Sequence, residues 1–180
     1  MRKTSNFLKL ALVAFFCMST TALHASENGE NVVYIGSGPV KNNDTSTTSD
    51  KKPITLGYLR QSRNSDNIWG VDISAEGSML DSTWGQTQAV KQATSFNLLI
   101  GKNFTRNENS RFDAAFLIGV REKTSECPKS YLGYQCYANS TPDTKYGFNY
   151  GLVMTWTYKS LMLGGRVTGE STQALMGLRF

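Results

Sequence analysis

The stretch YGFNYGLVMTWTY, Tyr146 to Tyr158, carries the clearest structural signal in the chain. Counting from Tyr146, every second residue is large and either apolar or aromatic. The residues between them are small or polar, with Val153 as the one exception. A period of two is the pattern of a β-strand, because successive side chains of a strand point to opposite faces. Residues 146–158 therefore predict a strand with two unlike faces, and the question is which solvent each face meets.

Seven further segments show this alternation wholly or in part. They are residues 31–40, 54–62, 68–79, 93–104, 111–121, 161–168 and 173–180. The connections between successive segments are alternately long and short, and the last link, Gly169–Ser171, is short. Since neighbouring strands of a meander run in opposite directions, all the long connections leave from one end. The pattern predicts eight antiparallel strands in chain order.

Two kinds of barrel fit a period of two, and the composition of the smaller face distinguishes them. A face in contact with water is usually rich in Lys and Glu. Here that face is mostly Gly, Ser, Thr, Asn and Ala, which suits the narrow lumen of an eight-stranded barrel. The larger face has aromatic residues near both ends of 146–158 and Leu152 and Met154 between them, as a lipid-facing surface does. We predict an all-β fold, an eight-stranded antiparallel up-and-down transmembrane β-barrel. The alternative is a secreted soluble lipocalin-like barrel that binds a small apolar ligand.

The first residues have the pattern of a secretory signal peptide. Arg2 and Lys3 precede the nine apolar residues Leu10–Met18, and small and polar residues follow up to Ala25. This apolar run is too short to span a bilayer as a helix. We predict cleavage after Ala25, with Ala22 as the second choice, which leaves residues 26–180 as the barrel domain.

Removal of the signal peptide changes the charge of the chain. The full sequence has 19 basic and 14 acidic residues, a net charge of +5. Residues 1–25 contain Arg2, Lys3 and Lys9 and no acidic residue, so the mature chain has 16 basic and 14 acidic residues, a net charge of +2. A nearly balanced charge gives no support to nucleic-acid binding, and we predict no nucleic-acid partner.

Two cysteines, Cys127 and Cys136, remain in the mature chain. In an exported protein this pair predicts a disulfide. Closing such a loop stabilises the fold by about 2.7 kcal/mol on loop-entropy grounds. The one histidine, His24, is removed with the signal peptide, so we predict neither a metal site nor a cofactor.

The chain ends in QALMGLRF, in which Met176, Leu178 and Phe180 occupy alternate positions. With this ending, the sequence resembles the small outer-membrane β-barrel proteins of Gram-negative bacteria, a class that includes OmpX/Ail-like adhesins, opacity proteins and NspA-like barrels. The resemblance covers the pattern of the whole mature chain and assigns no one subfamily. It implies an outer-membrane location, contact with membrane lipid and lipopolysaccharide, and an assembly signal in those three residues for the barrel-assembly machinery. Leu175 and Gly177 depart from the usual form of that signal.

Charged residues fall on the predicted lumen face. They are Asp72, Glu76, Asp113, Arg121, Arg166 and Arg179. Because a buried charge needs a partner, we expect these residues to form salt bridges that fill the lumen. The alternative is a narrow channel for small or apolar solutes. Paired-carboxylate hydrolysis is disfavoured, since Asp72 and Glu76 are four residues apart on a strand, about 13 Å.

The resemblance also bears on enzymatic activity. Small outer-membrane barrels include lipid A palmitoyltransferases and lipid A deacylases, and both families use a histidine with a serine. The mature chain has no histidine, so neither mechanism carries over, and we predict that the protein is not an enzyme.

The long connections are the better candidates for function, because binding residues concentrate on loops held by a rigid scaffold. The candidate contact residues are Trp84, Lys129, Tyr131, Tyr134 and Tyr137. The last four lie in or beside the segment between the two cysteines, where rigid aromatic side chains suit recognition. We therefore expect a structural or adhesive role, in which the extracellular loops contact a host or envelope surface.

Overall fold

The structure is a computed structural model that describes residues 29–39, 51–62, 65–80, 90–107, 109–124 and 143–180. Its eight strands are β1 (Gly29–Ser37), β2 (Ile54–Ser62), β3 (Asn67–Leu80), β4 (Val90–Arg106), β5 (Ser110–Thr124), β6 (Thr144–Tyr158), β7 (Leu161–Thr168) and β8 (Thr172–Arg179). Each strand pairs antiparallel with the next, and β8 pairs with β1 to close the barrel. The predicted fold class is confirmed. The predicted signal peptide, residues 1–25, lies outside the described residues.

Strand limits agree with the alternation most closely where the turns are short. β2 and β7 have the predicted limits. β1 was predicted at 31–40 but spans Gly29–Ser37, ending before Pro39, whose nitrogen has no hydrogen to donate to a ladder. β3 to β6 all extend further than predicted, and β4 reaches 17 residues.

The two faces of the strands meet different surroundings. Exposed large apolar side chains occur on every strand, and all of them lie on the outward face, including Trp69, Phe116 and Phe148. The inward face is buried, and the six buried charged side chains of the described strands lie on it. The soluble alternative required the apolar face to point inward. The soluble alternative is therefore wrong. A closed barrel also pairs its backbone groups internally, which is the condition for a sheet in lipid.

The two ends of the barrel differ. At one end, which we call the terminal end, Asn31 and Phe180 exchange two backbone hydrogen bonds of 3.0 Å, and the short turns between β2 and β3, β4 and β5, and β6 and β7 lie beside them. At the opposite, loop end, the chain leaves towards residues 40–50, 81–89 and 125–142. Short turns at one end, long connections at the other and an apolar outer band are the features of an outer-membrane barrel, and this protein is one.

Among the described residues, no α-helix is both long and apolar enough to cross a membrane.

Two hairpins extend past the closed barrel at the loop end. The β4–β5 ladder stops at Ser95 and Arg121, although β4 begins at Val90 and β5 continues to Thr124. The Thr94 N–H instead donates to the Glu122 carboxylate at 2.9 Å, which caps the end of the ladder. β6 has 15 residues, which at about 3.3 Å each and a tilt of about 40° rise roughly 38 Å, more than an apolar band of about 25 Å. The β3–β4 and β5–β6 hairpins therefore project beyond the membrane.

Candidate functional site

The inward face of the barrel forms three levels. A charged cluster nearest the loop end, which we call the loop-side cluster, consists of Asp72, Glu76 and Arg166 with their polar neighbours. An apolar layer lies below it. A second charged cluster, the terminal-side cluster, is built around Arg111, which is fully buried. These levels are the candidate site, together with the projecting hairpins.

The loop-side cluster places two carboxylates on one guanidinium. Arg166 Nε donates to Asp72 Oδ2 at 3.0 Å, and Arg166 Nη1 donates to Glu76 Oε2 at 2.7 Å. Arg166 Nη2 donates to the second oxygen of each carboxylate, at 3.4 Å for Asp72 and 2.9 Å for Glu76. All three side chains are fully buried. The two carboxylates, which are four residues apart on β3, are linked to each other through the guanidinium of Arg166.

Neutral donors saturate both carboxylates. The donors to Glu76 besides Arg166 are Ser95 Oγ at 2.8 Å, Asn149 Nδ2 at 3.2 Å, Thr168 Oγ1 at 2.8 Å and Ser171 Oγ at 2.5 Å. Asp72 accepts from Asn97 Nδ2 at 2.6 Å and from the Tyr34 hydroxyl at 3.3 Å. Carboxylates held by this many fixed donors act as structural anchors, so the arrangement joins strands.

The apolar layer consists of inward-facing side chains that the sequence analysis did not identify as a layer. Its members are Val32, Tyr34, Leu59, Ile68, Leu99, Ala115, Leu117, Val153, Met162 and Leu175. The sequence signal was present, because Leu99, Leu117 and Val153 occupy the same alternate positions as the small residues around them. Leu175, which breaks the apolar pattern of the last segment, points inward and is 3% exposed.

The terminal-side cluster links β5 to β1 across the lumen. Arg111 Nε donates to Asp113 Oδ2 at 2.6 Å, and Arg111 Nη1 donates to Glu30 Oε2 at 2.8 Å. Asn103 Nδ2 donates to the other Asp113 oxygen at 2.7 Å, and Arg179 Nη1 lies 3.5 Å from Glu30 Oε2. Sequence reasoning missed Arg111 and Glu30. The sequence pattern could have identified Arg111, because two-residue spacing places it on the same face as Asp113.

Arg121 belongs to neither cluster. It forms an ion pair of 2.7 Å with Glu170, in the turn between β7 and β8, at the mouth of the barrel. β3 makes room for this pair with a bulge after Ala75, where Gly77 has a φ of 70°. A Cβ at Gly77 would lie 2.6 Å from Arg121 Nη1 and from Glu170 Oε2.

The six charged residues predicted for the lumen thus lie at three separate places. Asp72, Glu76 and Arg166 meet in the loop-side cluster, Asp113 and Arg179 lie in the terminal-side cluster, and Arg121 lies at the mouth.

The other predicted site residues lie on the outer surface or outside the described part of the chain. Met176, Leu178 and Phe180 point outward and are exposed. The predicted loop contacts and the predicted disulfide, namely Trp84, Cys127, Lys129, Tyr131, Tyr134, Cys136 and Tyr137, lie outside the described residues. Within the described ranges, no group of three or more His, Cys, Asp or Glu side chains could hold a metal ion.

No protein-family model and no curated protein sequence matches the chain. Among solved structures, the chain is similar to the backbone structure of the Yersinia pestis outer membrane protein Ail in a phospholipid bilayer nanodisc, at 12% identity and a TM-score of 0.43. It is also similar to the crystal structure of Ail, the attachment invasion locus protein of Yersinia pestis, in complex with the heparin analogue sucrose octasulfate, at 16% identity and a TM-score of 0.43. Each similarity covers 85% of this chain and 97% of the other. These are similarities of fold alone.

Proposed function

We propose that this outer-membrane barrel is a rigid scaffold for adhesion, which works without chemical turnover and contacts a host or envelope surface through its loop end. The observation that carries this proposal is the projecting β5–β6 hairpin. β6 pairs with β7 only from Gly151 onward, so in the described part of the chain the other edge of Thr144–Tyr150 has no strand beside it. An uncovered edge can pair with an extended segment of a partner, and the backbone then supplies the affinity.

Side chains on this segment suit a contact surface. Tyr146, Phe148 and Tyr150 are 65–67% exposed, and the rings of Phe148 and Tyr150 stack with centroids 5.9 Å apart. Aromatic residues supply large contact areas at a small loss of conformational entropy. The loop-side cluster supports this role, because its donors from β1, β4, β6, β7 and the β7–β8 turn converge on β3 near the base of both hairpins.

The test is an adhesion assay. A non-adherent Gram-negative strain that expresses the protein is applied to cultured epithelial cells. The amount of folded barrel per bacterium is measured by its heat-dependent mobility shift and is matched between variants. We expect Tyr146→Ala and a deletion of residues 127–136 each to reduce adhesion. Tyr158→Ala is the matched control, because Tyr158 lies on the same face of the same strand at the terminal end. Adhesion that is unchanged in both loop-end variants contradicts the proposal.

The channel alternative makes a different prediction. The apolar layer and the guanidinium of Arg166, which is bonded to two carboxylates, argue against an open path. We therefore expect no unit conductance from the purified barrel in planar bilayers. Stable conductance steps that Leu117→Ala enlarges would favour the channel.

We further propose that Met176, Leu178 and Phe180 are the segment read by the barrel-assembly machinery. Their outward exposure at the β8 end of the β1–β8 seam supports this role. Removal of Phe180 should lower the amount of folded protein in the outer membrane. Leu175→Ala is the control, since Leu175 points into the lumen.

A further inference from the structure

Two cations lie on the lipid-facing side of the barrel near the terminal end. Arg60 on β2 is the register partner of Trp69, which is exposed on the outward face of β3. Lys102 on β4 is the register partner of Asn67, two residues before Trp69 and therefore on the same face. From β5 to β8, below the projecting hairpins, no described strand residue with a charged side chain points outward. The two cations thus mark one flank of the barrel, which we call the β2–β4 flank.

The β2–β4 flank has no protein anion to serve these cations. In the part of the chain that the structure describes, neither side chain forms an ion pair or a hydrogen bond. Asp66, in the turn before β3, is exposed and pairs with neither of them. A charged side chain on the lipid-facing side of a barrel is costly unless it lies near the interface, where lipid headgroups are within reach. We therefore expect the partner of Arg60 and Lys102 to come from the membrane.

The spacing of the two cations suits one phosphate group. Arg60, Trp69 and Ile100 share one register row, and Lys102 is two residues further along β4. With strands about 4.8 Å apart and a rise of about 3.3 Å per residue, the Cα atoms of Arg60 and Lys102 are roughly 12 Å apart. Both side chains are long, so their charged ends can converge on an anion above β3. Arginine can bind a phosphate through two parallel hydrogen bonds, and lysine binds it as a point charge.

The surface beside the cations suits acyl chains. The Tyr58 hydroxyl donates to Asn31 Oδ1 at 2.6 Å, and the Tyr58 ring meets the Trp69 ring edge to face with centroids 6.2 Å apart. Tyrosine and tryptophan are typical of the level where headgroups meet chains. Further towards the loop end, Val71 and Leu98 are outward-facing and about half exposed. A polar end and an apolar end therefore follow each other along the β2–β4 flank, as they do along a phospholipid.

We propose that the β2–β4 flank binds one phospholipid with an anionic headgroup. The phosphate lies between Arg60 and Lys102, and the acyl chains lie against the outward face of β3 and β4. A net negative headgroup is favoured because a zwitterionic one brings its own cation beside two others. Barrels of this kind have their short turns on the periplasmic side, so the lipid belongs to the periplasmic leaflet. This inference uses the orientation of the barrel and does not depend on the proposed adhesive function.

Native mass spectrometry of the full mature protein tests the proposal. The protein, in a neutral detergent, is mixed with equal amounts of phosphatidylglycerol and phosphatidylcholine that have identical chains. We expect more bound phosphatidylglycerol than phosphatidylcholine. A Lys or Arg near a membrane surface contributes about 1 kcal/mol of attraction to anionic lipid, so Arg60→Gln and Lys102→Gln should each lower phosphatidylglycerol binding about fivefold. Equal binding of the two lipids by the wild type, a comparison that needs no variant, overturns the proposal.

Lys159→Gln is the matched control, because Lys159 is an exposed cation at the same end of the barrel. It lies in the β6–β7 turn, with its Nζ 5.7 Å from the centre of the Tyr158 ring. Its removal should leave phosphatidylglycerol binding unchanged, and the heat-dependent mobility shift verifies that each variant is folded. A loss as large as that of Arg60→Gln would mean that the total charge of the terminal end attracts the lipid, which overturns the proposal of a site.

The headgroup without its chains distinguishes a lipid site from a site for a free anion. An excess of glycerophosphoglycerol should leave the bound phosphatidylglycerol in place, because it cannot contact the apolar surface beside Trp69. Displacement of the lipid by this soluble headgroup would assign the two cations to a free phosphate ester and would overturn the lipid site.

Discussion

The two charged clusters of the lumen use similar residues in opposite ways. In the loop-side cluster, Glu76 accepts hydrogen bonds from Arg166 and from four neutral side chains, and none of the buried side-chain polar atoms of these residues lacks a partner. In the terminal-side cluster, Arg111 is equally buried but its Nη2 has no partner among the described residues. The contribution of a salt bridge inside the barrel to stability therefore depends on the hydrogen-bond donors around it.

Position along the barrel explains this difference. The loop-side cluster lies beneath the two hairpins, where small residues such as Ser95 and Thr168 bring hydroxyl groups within reach of one carboxylate. A network satisfied within the protein holds several strands at fixed spacing. The terminal-side cluster lies beside the start of β1 and the end of β8, where Glu30 reaches solvent. We infer that the first cluster provides rigidity, whereas the second, with one carboxylate open to solvent, is held less tightly.

Replacement of Arg166 should have the largest effect on the free energy of unfolding. Arg166→Met leaves Asp72 and Glu76 buried without a cation, and breaking a buried ion pair in this way costs about 3–5 kcal/mol. Urea unfolding of the protein in lipid vesicles, followed by tryptophan fluorescence, measures the free energy of unfolding. The triple variant with Asp72→Asn and Glu76→Gln is the control, because it removes the uncompensated charges and should recover most of the loss. A single variant as stable as the wild type would mean that the loop-side cluster is not the anchor that its geometry indicates.

The matching substitution in the terminal-side cluster should lower the free energy of unfolding by less than Arg166→Met does. Arg111→Met removes hydrogen bonds to two carboxylates, a loss of about 1.5–3 kcal/mol. The reason for the smaller value is that Glu30 is partly exposed and Asp113 keeps its bond from Asn103. The same unfolding measurement compares the two variants directly. If Arg111→Met is the more damaging, the contrast between the clusters is reversed.

The packing between the clusters can be tested at Gly57. A Cβ there would lie 2.1 Å from Cζ of Tyr34, its register partner, whose hydroxyl donates to Asp72. Gly57→Ala should force the ring away and cost about 1–3 kcal/mol, as overpacking usually does. Gly165→Ala is the matched control, because the nearest atom to its Cβ, Gln173 O, is 4.0 Å away. Equal stability of the two variants would show that the Tyr34 ring is not fixed over Gly57.

Sequence alone predicted the strand count and the direction of each strand, because a period of two marks the strands and the alternation of long and short connections sets their directions. It could not predict which charges meet. Asp72 and Arg166 are 94 residues apart in sequence, and they come together because the closed barrel brings β3 and β7 within reach across the lumen. It also missed Glu30, since that residue lies just before the predicted start of β1. The sequence also did not show that the larger inward side chains, such as Leu117 and Val153, form one layer, because the space available inside the barrel depends on all eight strands.

The smallest expected effect is at the mouth, where Arg121 and Glu170 form a pair that is neither dry nor fully exposed. Their side chains are 10% and 30% exposed, so solvent screens part of the attraction. Glu170→Gln keeps the shape and removes the charge, and it should cost less than about 1 kcal/mol, as exposed pairs usually do. The same unfolding experiment at low and high salt measures the difference, which should shrink as salt is added. A loss near that of Arg166→Met, independent of salt, would mean that the mouth is closed to water. The dry region would then extend from the loop-side cluster to the base of the hairpins, and the rigid part of the scaffold would include the rim.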